Sequence, residues 1–162
     1  MTPDNVGVEY AGVVFAIAES PREKGVIWAG TNDGQLQVTR DGGGHWTNVT
    51  ANIPGLPPWG TVSNVEPSRF DERHRATSPS ICTRSNNRDP FVYKTTDYGG
   101  TWRSVAGDIP KSVHSYAHCV REDPVKRGLL YLGTENALYF SPDDGQHWLP
   151  LQSGCRTRLS TG

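Results

Sequence analysis

Two hydrophobic patterns alternate along the chain. Val26-Ile-Trp-Ala29 is apolar on both faces, as an interior strand is, and Gln35-Leu36-Gln-Val38-Thr39 alternates with period two, as a half-buried strand does. Turn signals separate the segments: Pro21 to Gly25, Asn32-Asp-Gly34, and Asp41-Gly-Gly-Gly44. Four short strands are predicted in the first fifty residues, near Gly12–Ala18, Gly25–Gly30, Gln35–Thr39 and Trp46–Val49. The same quartet is predicted near Ser115–Arg121, Gly128–Gly133, Ala137–Ser141 and Trp148–Leu151.

The pattern recurs because the sequence does. One octet occurs three times: Thr39-Arg-Asp41-Gly-Gly43-Gly-His-Trp46, Thr95-Thr-Asp97-Tyr-Gly99-Gly-Thr-Trp102, and Ser141-Pro-Asp143-Asp-Gly145-Gln-His-Trp148. The shared form is [ST]-x-D-x-G-x-x-W, with the tryptophans 56 and 46 residues apart. After the first two, the match continues as W-x-[NS]-V-x-x-[ND]-I-P through Pro54 and Pro110. Upstream, Glu19-Ser-Pro21 through Gly30-Thr31 resembles Glu122-Asp-Pro124 through Gly133-Thr134 at a constant offset of 103 residues. Four-stranded units at this period are blades of a β-propeller. The expected class is therefore all-β, with three blades in an incomplete ring. Blade one spans 1–54, blade two 55–110, blade three 111–153, and an irregular tail 154–162. Closed propellers have about four to eight blades, so three imply a piece of a larger ring.

Composition agrees with this. Glycine and proline make up 30 of 162 residues, while Leu, Ile, Val and Phe number only 32, near the level at which disorder sets in. A net charge of −1 and five tryptophans argue for a folded chain of short strands and tight turns. The charge balance gives no reason to expect nucleic acid as a partner. No run of about 18 apolar residues could span a bilayer. No signal peptide is visible, which leaves the compartment open and a secreted or periplasmic parent compatible. Cys82, Cys119 and Cys155 form neither a disulfide framework nor a metal motif. No metal and no cofactor is expected.

The octet reads as a fold device. Its Asp can accept hydrogen bonds from N–H groups of its own turn, and its Ser or Thr adds a hydroxyl partner. The Gly at position five supplies a positive φ, and the Trp buries a large ring between sheets. The structural set is thus Thr39, Asp41, Gly43 and Trp46, then Thr95, Asp97, Gly99 and Trp102, then Ser141, Asp143, Gly145 and Trp148. A calcium loop would need recurring acidic ligands, and only one Asp recurs.

The octet is the Asp-box, or bacterial neuraminidase repeat, which resembles that of sialidases, some endoglucanases, photosystem assembly factors and sortilin-type propellers. The stretches 26–31, 39–54, 91–105 and 120–152 look like bacterial glycosyl hydrolase-annotated proteins of this repeat class related to sortilin-type propellers. So do 7–10 and 15–20. The resemblance implies a propeller with its Asp-boxes on the rim opposite the ligand-binding face. It implies as partners the remainder of the ring and an extracellular protein, peptide or carbohydrate.

Two segments break the pattern. Residues 71–90 should contain a second strand for blade two. Arg73 to Arg88 is instead rich in Arg and Ser and poor in apolar residues, and reads as a surface insertion. A local reading-frame error is a second reading: one base earlier, Ser78–Ser85 can become an apolar strand, and the tail from Gly154 can regain the missing proline. Resequencing the gene decides this. On that reading Cys82 and Cys155 carry no function.

Candidate chemistry is sparse. Glu122-Asp123 is a carboxylate pair of the type glycosidases use, but Glu19 stands at the equivalent repeat position, which favours a structural role. No arginine cluster or Tyr–Glu nucleophile pair of sialidase type can be matched, and no catalytic residue is assigned. The residues that lead into the innermost strands are the candidate ligand face: Glu9, Tyr10, Trp59, His114, Tyr116 and His118. The last three share one strand face by period two. They suit a metal, a sugar, or a water-filled channel wall equally. His45 and His147 occupy an octet position filled by Thr101 in blade two, and read as surface residues. Three functions remain open: a non-catalytic binding scaffold, part of a glycoside hydrolase, or a truncated or frame-shifted product.

Overall fold

The computed structural model describes residues 12–56, 58–70, 79–84, 89–111 and 115–151. These form three antiparallel sheets of four strands, each a simple meander. Sheet one contains β1 (Val14–Glu19), β2 (Ile27–Thr31), β3 (Leu36–Thr39) and β4 (Trp46–Asn48). A short 3₁₀ turn, Thr50–Asn52, follows. Sheet two contains β5 (Thr61–Pro67), β6 (Pro79–Arg84), β7 (Phe91–Lys94) and β8 (Arg103–Ser104). Sheet three contains β9 (Ala117–Glu122), β10 (Leu130–Thr134), β11 (Leu138–Ser141) and β12 (Leu149–Pro150). The first strands β1, β5 and β9 lie side by side on the inside, as in propeller blades.

The strands of sheets one and three start and end within about two residues of expectation. Sheet two corrects it. The segment expected to be a surface insertion supplies β6, hydrogen-bonded to β5 on one side and β7 on the other. Ile81, opposite Val65 and Tyr93, is fully buried. One central apolar side chain and two waiting neighbour strands suffice, because the backbone groups of β5 and β7 need partners whatever the side chains are. Pro79 opens the strand, a position where a missing N–H is tolerated.

Register divides each sheet into two faces. In sheet one, Ala16, Ala18, Trp28, Leu36 and Val38 point toward sheet two, where Val62, Val65, Ile81, Tyr93 and Trp102 complete a core. Sheets two and three bury Val92, Val105, Ile109, Val120, Leu130, Leu132 and Trp148 between them. The opposite face of sheet one carries Ile17, Ala29, Thr39 and Trp46. The far face of sheet three carries Cys119, Tyr131, Phe140, Leu138 and Leu149.

Each blade grips the octet of the next. The space a Cβ on Gly99 would need is filled by Val49, at 2.9 Å, and that of Gly145 by Val105, at 2.8 Å. Trp102 meets Trp28 edge-on at 6.1 Å between ring centroids. Trp148 donates its ring N–H to the Val105 carbonyl at 2.5 Å. The Asn or Asp of the sequence extension also reaches across: Asn52 donates to the Gly99 carbonyl at 2.8 Å, and the Trp148 N–H donates to Asp108 at 2.9 Å. Octet position four adds charge and aromatic contact. Tyr98 donates to Glu23 and lies under Arg40, and Asp144 pairs with Lys94 and Arg103. The recurrence of the motif is thus a recurrence of one blade-to-blade joint.

Candidate functional site

Because strands in a meander run up and down, the octet turns and the strand-entry loops lie at opposite ends of the blades. At the octet end, polar groups are used up locally. Thr39 donates to Asp41 at 2.7 Å and accepts from the Gly43 N–H at 3.0 Å. Asp41 also accepts from the His45 N–H at 2.9 Å. The same bonds recur for Thr95, Asp97, Gly99 and Thr101, and for Ser141, Asp143, Gly145 and His147.

The seventh position is more than a surface residue. The second oxygen of each Asp contacts the side chain there: His45 Nδ1 at 2.6 Å, Thr101 Oγ1 at 2.7 Å, His147 Nδ1 at 2.6 Å. A His or a Thr can both do this, which is why the position looked variable. The backbone N–H and ring of His45 hold Asp41 well below the usual carboxylate range, and the ring and N–H of His147 do the same to Asp143. In return, the Asp143 carboxylate raises the His147 imidazole.

The carboxylate pair sits at this same end and is also occupied. Glu122 accepts from the Gly128 and Arg69 N–H groups, each at 3.3 Å, and Glu19 accepts from Gly25 at 3.1 Å in the equivalent turn. Asp123 accepts from the Val125 and Lys126 N–H groups at 2.8 Å, and from the Tyr131 hydroxyl. The Lys126 and Val125 bonds lower its carboxyl. Two acids engaged in clasping turns are poorly placed to shuttle protons.

The entry end is different. Trp59 is 67 % exposed and adopts φ of 59°, just ahead of Gly60 and β5. Left-handed backbone is unusual for a bulky residue. The Asn32–Gly34 turn fixes this loop: Gly34 packs against Gly60, and the Thr61 hydroxyl donates to the Asn32 carbonyl at 2.9 Å. Tyr116 just precedes β9 and His118 lies at its start, with ring centroids 4.7 Å apart. His118 also lies 3.7 Å from Glu135, in the β10–β11 turn. Sequence reading did not single out Glu135. Its position one residue after Thr134, as Asn32 follows Thr31, was the available signal. Glu9, Tyr10 and His114 lie outside the described residues, so the structure joins only Tyr116 and His118 of that set. Among the described residues, no cluster of three His, Cys, Asp or Glu could hold a metal ion. Also among them, no helix is long and apolar enough to cross a membrane.

A groove of about 520 Å³ follows the inner strands, lined by β1, by Ser63, Asn64 and Glu66 of β5, and by Arg69 and Arg121. Arg121 donates to Glu66 at 2.5 Å across it.

No family model and no curated protein matches the chain. Solved propeller structures do. YCF48 bound to D1 peptide superposes with a TM-score of 0.61 at 19% identity, over 85% of this chain and 40% of that one. YCF48 from Cyanidioschyzon merolae gives 0.62 at 20% identity, over 86% and 37%. An ancestral GH74 enzyme gives 0.63 at 17% identity, over 83% and 18%. These likenesses define the fold as part of a β-propeller. The chain spans about two-fifths of the YCF48 chains and under one-fifth of the GH74 enzyme.

Proposed function

We propose that this chain is a three-blade portion of an Asp-box propeller, with repeat units bounded near residues 54 and 110, that serves as a non-catalytic scaffold binding an extended peptide. The observation that carries this reading is the division between the two ends of the blades. The acids suited to hydrolysis, Glu122 and Asp123, are committed to turn N–H groups. The entry end instead offers an exposed indole, a tilted Tyr–His ring pair and a carboxylate. Exposed aromatic side chains on rigid loops are the usual anchors for peptide partners. The peptide seen on YCF48 supports the same class of ligand, as does the sortilin-like character of the sequence.

Selection from a displayed library of random peptides tests it. Binders are expected, and Trp59→Ala and Tyr116→Ala are each expected to weaken them at least about tenfold. The competing reading, part of a glycoside hydrolase, draws on the GH74 likeness. It predicts that polysaccharide is cleaved and that Glu122→Gln or Asp123→Asn abolishes cleavage. A product that fails to fold supports the third reading, a truncated or frame-shifted chain.

A further inference from the structure

At the joint between blades one and two, an acid and an exposed ring flank one backbone contact. A Cβ on Gly34 would lie 2.9 Å from the Gly60 carbonyl oxygen, so the β2–β3 turn and the loop ahead of β5 touch there. Asp33 immediately precedes Gly34, and the exposed Trp59 immediately precedes Gly60. Both blades of this joint are in the chain, and the bond from the Thr61 hydroxyl to the Asn32 carbonyl ties the two segments together. Asp33 is half-buried. One of its carboxylate oxygens accepts from the Thr31 hydroxyl, and the other meets only the Gln35 amide, at 3.4 Å. Among the described residues, neither a basic side chain nor a backbone N–H satisfies it. Other acids are answered: Glu66 by Arg121, Asp89 by Lys111, Asp144 by Lys94, and the octet aspartates by turn N–H groups.

We propose that this joint takes an arginine side chain of the bound peptide, with the guanidinium on the Trp59 indole and its N–H groups on the Asp33 carboxylate. The proposal deepens the peptide-binding reading and rests on it. The face of an aromatic ring attracts a cation, and indole does so most strongly among side chains. A carboxylate met by one hydroxyl and one distant amide keeps lone pairs open for a charged donor. Arginine serves both partners at once, because its guanidinium is planar, stacks on rings and presents its N–H groups as a fork. A lysine ammonium is a point charge without that fork. The site is also held in advance by the Gly34–Gly60 contact and the Thr61 bond, so binding has little ordering left to do.

Sequencing the peptides selected from the random library gives the first readout: arginine is expected well above its frequency in the input. Fluorescence polarisation then compares one selected peptide with a copy carrying citrulline for arginine, which keeps the shape and loses the charge. Against the whole chain, the citrulline copy should bind about tenfold more weakly. Asp33→Asn should weaken the arginine peptide by a similar factor and leave the citrulline copy nearly unchanged, because the two changes remove one interaction. Equal binding of the two peptides overturns the proposal, as does an Asp33→Asn chain that weakens both alike. Selected peptides that lack arginine overturn it too, and leave the peptide-binding reading standing. A library that yields no binder removes that reading and the proposal together.

Discussion

The first and third octets share their chemistry and differ in their neighbours. Thr39, Asp41 and His45 close the same clasp as Ser141, Asp143 and His147, with matching distances. Yet Trp46 is 41 % exposed, whereas Trp148 is 5 %. The clasp is a local product of eight residues and forms wherever they occur. The burial of the ring is supplied by the blade before it, which the third octet has and the first lacks among the described residues. One motif thus does two separable jobs, shaping a turn and joining two sheets.

Truncating the tryptophans separates these jobs most strongly. Trp102→Ala and Trp148→Ala should each cost about 3–5 kcal/mol, the range for deleting a buried aromatic ring. Trp46→Ala should cost under about 1 kcal/mol, because its ring is partly exposed. Urea unfolding of the three variants checks this. Equal losses at all three sites would mean that the ring stabilises its own turn.

Glycine at position five gives a smaller contrast. All three are left-handed, so alanine strains each backbone by about 1–2 kcal/mol. At Gly99 and Gly145 the added carbon also collides with Val49 or Val105. Gly145→Ala should therefore lower the unfolding midpoint clearly more than Gly43→Ala. Equal midpoints would place Val105 elsewhere.

The smallest effect concerns pH. Asp143 titrates lower in the folded chain than unfolded, so its contribution is present above the ordinary carboxylate range near 4 and fades as pH falls. His147 titrates higher folded than unfolded. Its contribution is complete below about 6.5 and fades as pH rises through the raised folded value. His147→Thr copies the second octet, where Thr101 bonds Asp97 without a titrating ring. That variant should keep the acid-side loss and flatten the alkaline side, as midpoints measured from about pH 2 to 9 would show.

Much of the fold was legible because the repeat could be compared with itself. Strand positions, turns and the shared octet all follow from alternation, turn residues and spacing. The strand Pro79–Arg84 was not legible, since its sequence lacks the apolar alternation that marks a strand. Its neighbours impose it. The different exposures of Trp46 and Trp148 were equally hidden, because identical octets say nothing about which blade is present beside them. At the entry end, Tyr116 and His118 were found by period two, while Glu135 emerged only when the β10–β11 turn came into contact with His118. The roles of Glu19 and Glu122 in clasping turns were anticipated by their shared repeat position.

Fluorine NMR of the chain labelled with 5-fluorotryptophan tests the central division most directly. Its five tryptophans report on the core at Trp28, the octets at Trp46, Trp102 and Trp148, and the entry loop at Trp59. On adding a peptide selected from the library, the Trp59 resonance should shift while those of Trp102 and Trp148 stay in place. A peptide that moves the Trp102 or Trp148 signals and leaves Trp59 untouched would contradict the account.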